Sequence, residues 1–488
     1  MRNLALLILT ALLPYNPCVH AQTLDTVQQT ASRLAGSILV GGHAMSYLDT
    51  LSDRFGSRLT GSEAYDRAAE WAASQFHAAG VSSVRFESFV LSQTWERGPA
   101  HGQMVAPVRR PLAVASLGWA PSTPVGGVHG PVVRLTDLSA ETIREWASRI
   151  DGSLVLLDEA SPSGEPWYGL YARQLQAFPL LQAAGAKAIL WADDESNNLI
   201  GADSYAFGPV NGGVVAPIPH LVIGKEDAAF VRRWLEKGEV VLALECQNRV
   251  GGPRRVNNVI AEIRGREKPE EWVLVGAHLD SWDLGPGAQD NGAGCAMVLE
   301  AARALAALGE PPLRSIRFAL WGGEEQGLMG SVAYLKAHAE ELDACIAALN
   351  TDNGAGRPLG WKVEGRSDVR QALRETTHDL LSGLGGEGLS DDVSFDTDHG
   401  PFLLEGIPVL DMWVGMDQYG MIHHKPGDTL DKVDRGHLTS SAAVVAITAY
   451  AIAQRLSPVA PRLDRSTVED KMREEGILPF LKAAGFWD

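Results

Sequence analysis

From Asn258 onward, apolar runs short enough to be strands alternate with long helical stretches, and this alternation limits the fold more than any other feature of the chain. Runs 272–276, 315–321 and 345–349 read as strands, and stretches 293–308 and 329–341 between them read as helices. Strand, helix, strand in repetition means βαβ units: an α/β fold with a mixed, mostly parallel sheet flanked by helices. Sheets of this kind present ligands with the carboxyl ends of their strands.

The ionisable residues of this region fall at those ends. Strand 272–276 runs into His278-Leu279-Asp280. Strand 315–321 runs through Gly322-Gly323 into Glu324-Glu325, and strand 345–349 into Asn350-Thr351-Asp352. One rim therefore collects a histidine and several carboxylates. Crowded carboxylates repel unless a cation sits between them, so a metal site is the economical reading. Asp290 opens the helix after the first of these strands, in Gln289-Asp290-Asn291-Gly292-Ala293-Gly294, where it can turn back across the rim and bridge two cations. A fifth ligand is available from His424, in His423-His424-Lys425-Pro426-Gly427-Asp428-Thr429. Imidazole mixed with carboxylate suits zinc better than magnesium or calcium. Each element alone is common in proteins of other function; the weight lies in all five arriving in order at strand ends.

The rest of the chain has a different texture. Residues 24–90 alternate helical patterns with a strand at 84–91, and Ser62 caps a helix running from Glu63 to about Ala79. Between 96 and 253, Pro and Gly become frequent and strand-like runs such as 153–157 and 188–191 are short, with a helical pattern at 178–184. This reads as a β-rich domain inserted into a second domain formed by 22–95 and 254–488. At the N-terminus, Arg2, the apolar run 4–13 and Val19-His20-Ala21 form an export signal over residues 1–21, cleaved near Ala21, so that the mature protein is secreted or periplasmic. Cys18 lacks the small-residue context of a lipidated cysteine. No later run reads as long and apolar enough to span a bilayer. A formal charge of -18 excludes a nucleic-acid partner, whose phosphates require Lys and Arg. Cys246, Cys295 and Cys345 cannot all pair internally and have no CxxC spacing, so cysteine neither staples the fold nor holds the metal.

At the level of motifs, the chain resembles the co-catalytic zinc aminopeptidase and glutamate carboxypeptidase family. The resemblance is carried by His278-Leu279-Asp280-Ser281-Trp282-Asp283 with Asp290 following, by Trp321-Gly322-Gly323-Glu324-Glu325-Gln326-Gly327, and by Asp352 and His424. Gly56-Ser57-Arg58-Leu59-Thr60-Gly61-Ser62 and Trp95-Glu96-Arg97-Gly98 are similar too, and the inserted region resembles a protease-associated domain. The resemblance implies two zinc ions per chain: Asp290 bridging, His278 and Asp352 on one metal, Glu325 and His424 on the other. It implies Glu324 as general base, Asp280 orienting His278, and Asp428 doing the same for His424. Asn291 departs from the pattern, which has an acidic residue there. His423 and Tyr419 are expected as oxyanion contacts, and Asp398 and His399, in Asp396-Thr397-Asp398-His399-Gly400-Pro401, as pocket residues. Asp193-Asp194-Glu195 reads as a solvated loop and Trp282 as a packing residue. The expected activity is hydrolysis of small peptides, unblocked dipeptides foremost, by a homodimer. Alternatives are an aminopeptidase for longer peptides, a non-catalytic receptor-like ectodomain, which predicts lost ligands, and a one-zinc cyclase of N-terminal glutamine.

Overall fold

In the computed structural model, which describes residues 17–160, 165–210, 212–416 and 418–488, the predicted strands assemble into an eight-stranded sheet. Its order is Ser83–Leu91, Arg254–Ile263, Arg314–Trp321, Lys268–His278, Cys345–Asn350, Val409–Val414, Pro358–Lys362, Gly388–Ser390. The four central strands, Arg314–Trp321, Lys268–His278, Cys345–Asn350 and Val409–Val414, are parallel to one another, and the strands Ser83–Leu91, Arg254–Ile263 and Pro358–Lys362 pair antiparallel. Register aligns the site-bearing ends: His278 lies opposite Trp321, Gly276 opposite Asn350, and Asn350 opposite Asp411.

Both faces of this sheet are covered, which explains why its strands are continuously apolar. Val273, Val275 and Ala277 turn to the face holding helices Ala293–Ala306 and Arg435–Ala453. Trp272 and Leu274 turn to the other, against Tyr334, Phe402 and Phe480. Helix Arg435–Ala453 corrects one expectation. At 19 residues and mean hydropathy 1.3 it is long and apolar enough to cross a bilayer, yet it is mostly buried in the core here. Two other helices differ in extent from their sequence patterns. The stretch at 329–341 ends its α-helix at Ala337 and continues as a 3₁₀ turn, Ala339–Ala344. The pattern at 178–184 is the second half of Trp167–Ala183, whose interior Pro179 and uncharged aromatic first turns hid its start.

Residues 100–246 supply a second eight-stranded sheet. It is less purely β than expected. Four of its strands, Val128–Leu135, Leu154–Leu157, Ala188–Ala192 and His220–Ile223, are parallel, and helices Trp167–Ala183 and Lys225–Leu235 accompany them. Residues 1–16 of the expected export signal lie outside the described residues; the backbone from Pro17 belongs to helix Pro17–Gly41. The three cysteines beyond it are unpaired and buried.

His220, in the second sheet, is buried among Phe178, Trp191 and Tyr205, and its Nδ1 accepts the Trp191 indole N–H at 3.2 Å. Burial pushes its pKa from 6.5 down to about 3. The unfolded ring takes a proton near 6.5 and the folded one only near 3, so its stabilisation is complete above pH 6.5 and is lost as pH falls toward 3. The slope is about 1.4 kcal/mol per pH unit. Urea unfolding between pH 7 and 4.5 should therefore show a shallower acid loss for His220→Gln, which keeps an acceptor for Trp191 but does not titrate.

Candidate metal centre

Asp290 stands at the centre of the rim. Its Oδ1 lies 3.1 Å from His278 Nε2, and its Oδ2 lies 3.2 Å from His424 Nε2. His278 Nε2 is also 3.2 Å from Asp352 Oδ1, and His424 Nε2 is 3.1 Å from Glu325 Oε2. The five sequence-predicted ligands are thus gathered into two half-sites that share one carboxylate. His423 joins the second, with Nε2 3.5 Å from Asp290 Oδ2 and its ring stacked 3.7 Å from that of His424. It is the open edge of the group, 42% exposed. The Tyr419 ring packs against His423 at 5.0 Å, tilted by 36°.

The charges are held under tension. Burial pulls the pKa of His278 down, but Asp352, Glu324, Asp280 and Asp290 outweigh it and raise it well above 6.5. Burial likewise opposes protonation of His424, and Glu325 and Asp290 again win. Burial, then Asp290, raises Glu325 to about 8; burial, with Asp352 and Glu325 adding to it, raises Glu324 well above 4.5. A pocket that raises the pKa of His278, His424, Glu324 and Glu325 together is one whose carboxylates favour added positive charge. Glu325 Oε1 is buried without a hydrogen-bond partner, as expected of a ligand oxygen awaiting a cation. The mixture of two or three imidazoles with three carboxylates fits zinc.

The elements around these groups explain their placement. His278 Nδ1 faces Asp280 Oδ1 at 3.5 Å, an approach longer than a hydrogen bond. Asp280 Oδ2 accepts hydrogen bonds from Thr60 Oγ1 at 2.7 Å and from the backbone N–H of Gly323 at 3.1 Å, tying the His278 strand end to the turn that carries Glu324. Gly323 occupies φ +72°, the left-handed region that favours glycine, so the turn reverses directly into Glu324. Asp428 corrects an expectation. Its carboxylate accepts from the backbone N–H groups of Gln289 (2.7 Å) and Asp290 (3.0 Å), so it fixes the loop of the bridging residue rather than the ring of His424. The edge of the His424 ring packs instead on buried Trp282 at 6.0 Å.

Asp398 and His399 are a second correction. His399 is buried with Nδ1 2.7 Å from Thr397 Oγ1 and Nε2 3.0 Å from the Ser394 carbonyl, leaving neither nitrogen for substrate. Asp398 is buried behind the rim and accepts from Ser331 Oγ. The sequence also gave no sign of Arg58's task. Fully buried, its guanidinium donates to the carbonyls of Leu279 (3.0 Å), Leu51 (3.1 Å), Gly56 (2.8 Å), Pro286 (2.8 Å) and Gly287 (3.0 Å), binding the loop before Asp290 to the His278 strand. The signal was the motif around it, 56–62, whose purpose only the contacts reveal.

Residues 258–449, which carry all of these rim groups except Arg58 and Thr60, match the family described as Peptidase family M28. Carboxypeptidase Q of Mus musculus is 30% identical over 422 residues, 83% of this chain and 84% of that protein. The chain belongs to peptidase family M28. It is a metallopeptidase of that family. A solved M28 peptidase precursor from Shewanella amazonensis superposes with a TM-score of 0.79 at 29% identity, over 90% of this chain and 99% of the other. A zinc aminopeptidase from Bacillus subtilis shares the fold, with TM-score 0.66 at 22% identity over 86% of this chain and 97% of the other.

Asp428→Asn offers one acceptor oxygen to two N–H groups. We expect it to cost about 1–3 kcal/mol in denaturant unfolding. Zinc affinity should fall about tenfold or more in a titration of chelator-stripped protein.

Proposed function

We propose that this M28 chain is a two-zinc exopeptidase for small peptides, unblocked dipeptides foremost, with Glu324 as its general base. The observation that supports it best is the split of Asp290, one oxygen toward His278 and Asp352 and the other toward Glu325 and His424. That arrangement suits two cations sharing a carboxylate. His278 and Asp352 would hold one zinc, Glu325 and His424 the other. Two bound zinc ions supply Lewis acidity toward the scissile carbonyl and lower the pKa of water near them.

The chain's own groups do the rest. Glu324 is adjacent to a ligand residue and buried at the rim without being one of the five, which places it to take a proton from the attacking water and hand it to the leaving amine nitrogen. Asp280 holds the His278 tautomer with Nε2 free for metal. His423, exposed at the mouth, is placed to donate a hydrogen bond to the developing oxyanion, with Tyr419 packed behind it. The residues between 96 and 253 act as a protease-associated domain walling the site. The dipeptide preference and a homodimeric state follow the likeness to Carboxypeptidase Q, and a cleaved signal to about Ala21 would place the protein outside the cytoplasm. The likeness to an Aminopeptidase of Pseudomonas aeruginosa, 27% identical over 394 residues, supports a second reading, removal of single residues from longer peptides.

Three outcomes test this. Metal analysis should give about two zinc per chain, with activity lost in chelator. Glu324→Gln should keep its metal and lose about 10²–10⁴-fold in kcat; wild-type turnover by the metallated variant would refute the base. Free dipeptides should be cleaved faster than N-blocked ones, and a preference for longer peptides would favour the second reading.

A further inference from the structure

The His424 half-site is held from outside the peptidase sheet. His424 adopts φ +59°, a left-handed conformation that a non-glycine residue keeps only when its surroundings hold it there. Its carbonyl oxygen accepts the backbone N–H of Ala202, from the second sheet's side, at 2.7 Å. Ala202 ends a loop that begins at Asp193, directly beyond the strand Ala188–Ala192. The Asp193 carboxylate closes that loop on itself: Oδ1 accepts from Glu195 N at 2.9 Å and Oδ2 from Gly201 N at 2.8 Å. The Asp193 N–H in turn donates to the Ile223 carbonyl at 2.9 Å, anchoring the loop to the neighbouring strand. Lys425, next to His424, approaches Glu195 of the same loop at 4.0 Å. The loop read from sequence as merely solvated is therefore a bracket against the ligand segment.

We propose that Asp193 is a positioning residue for the second metal: by closing loop 193–201 it presents Ala202 N–H to His424 and so sets the zinc affinity of the Glu325–His424 half-site, leaving the His278–Asp352 half-site alone. The argument is geometric. Without the carboxylate, two backbone N–H groups lose their acceptor and the loop ends are free to separate. The Ala202 hydrogen bond then weakens, and His424 relaxes toward an ordinary backbone conformation that swings its ring away from Glu325 and Asp290. Residues that orient metal ligands from behind typically change affinity about 10–100-fold when removed.

This rests on the two-metal reading, and calorimetric titration of chelator-stripped protein with zinc tests both. Wild type should bind in two steps. Asp193→Ala should weaken one step about 10–100-fold and leave the other within about twofold, with the melting temperature of the metal-free protein unchanged. Asp193→Asn, retaining one acceptor oxygen, should fall between. Asp194→Ala, on the exposed neighbour, should match wild type. Two unchanged steps in Asp193→Ala would overturn the positioning role with the two-metal reading intact. So would equal weakening of both steps, or a melting shift large enough to account for the loss. A single zinc step in wild type would overturn the two-metal reading itself.

Discussion

The rest of the molecule depends on holding one carboxylate, that of Asp290, between two imidazoles in a site buried from water. Its two oxygens face His278 and His424 at 3.1 and 3.2 Å, and Asp352, Glu324 and Glu325 crowd within the same rim. Burying several carboxylates is costly unless each has a compensating partner, and a few unfavourable contacts would exceed a protein's whole net stability. The fold meets this by concentrating backbone donors on the supporting acids rather than the ligands. Asp428 collects two N–H groups and Asp280 collects Gly323 N–H and Thr60 Oγ1, while the ligand oxygens are left with imidazole neighbours that a cation can displace.

This division explains why the loop before Asp290 is so heavily fastened. Arg58 gives its donors to five carbonyls on three separate segments, and among the described residues no carboxylate forms an ion pair with it. A cation saturated by carbonyls fixes geometry through its hydrogen bonds, while Asp428, Asp280 and Asp290 are near enough to favour its charge. The second sheet adds a further clamp. Arg97 Nε and Nη2 each donate to Asp283 at 2.8 Å, five residues past His278, while Ala202 grips His424 across the mouth. The backbone of His424 and the segment following His278 are therefore each tied to residues between 97 and 202.

The strand ends and the ionisable groups gathered at them were legible in sequence because they are local. A strand's apolar run and the residue that follows it are neighbours, so the position of His278, Glu325 and Asp352 at a common rim needs only the assumption of parallel strands. The supporting contacts were not legible, since Arg58 to Gly287, Thr60 to Asp280 and Ala202 to His424 each join residues more than two hundred positions apart. The resemblance implied that Asp428 orients His424, but its carboxylate reaches 138 and 139 positions back to the N–H groups of Asp290 and Gln289, contacts equally invisible in the chain order. Asp398 and His399 were expected to line the pocket because they fall in a polar run, 396–401, just ahead of the apolar run 407–410. Here His399 opens a short helix packed beneath the sheet, where Thr397, Asn350 and Asp411 form a buried chain of hydrogen bonds.

Asn291, where the resemblance implied an acidic residue, has a structural task that needs an amide. Its Nδ2 donates to the Thr351 carbonyl at 2.9 Å and its Oδ1 accepts from Gly294 N–H at 2.9 Å. An ionised carboxylate has no proton to donate, so an acidic residue in this orientation would set oxygen against the Thr351 carbonyl in a buried site. The amide instead joins the start of helix Ala293–Ala306 to the strand end that delivers Asp352, and Cys295 adds a second tie through Sγ to the His278 carbonyl at 2.9 Å. The segments bearing His278, Asp290 and Asp352 are thus stitched together behind the metal-facing atoms. A neutral residue at 291 serves that stitching, and it adds no further carboxyl group to a rim that already gathers Asp280, Asp290, Glu324, Glu325 and Asp352.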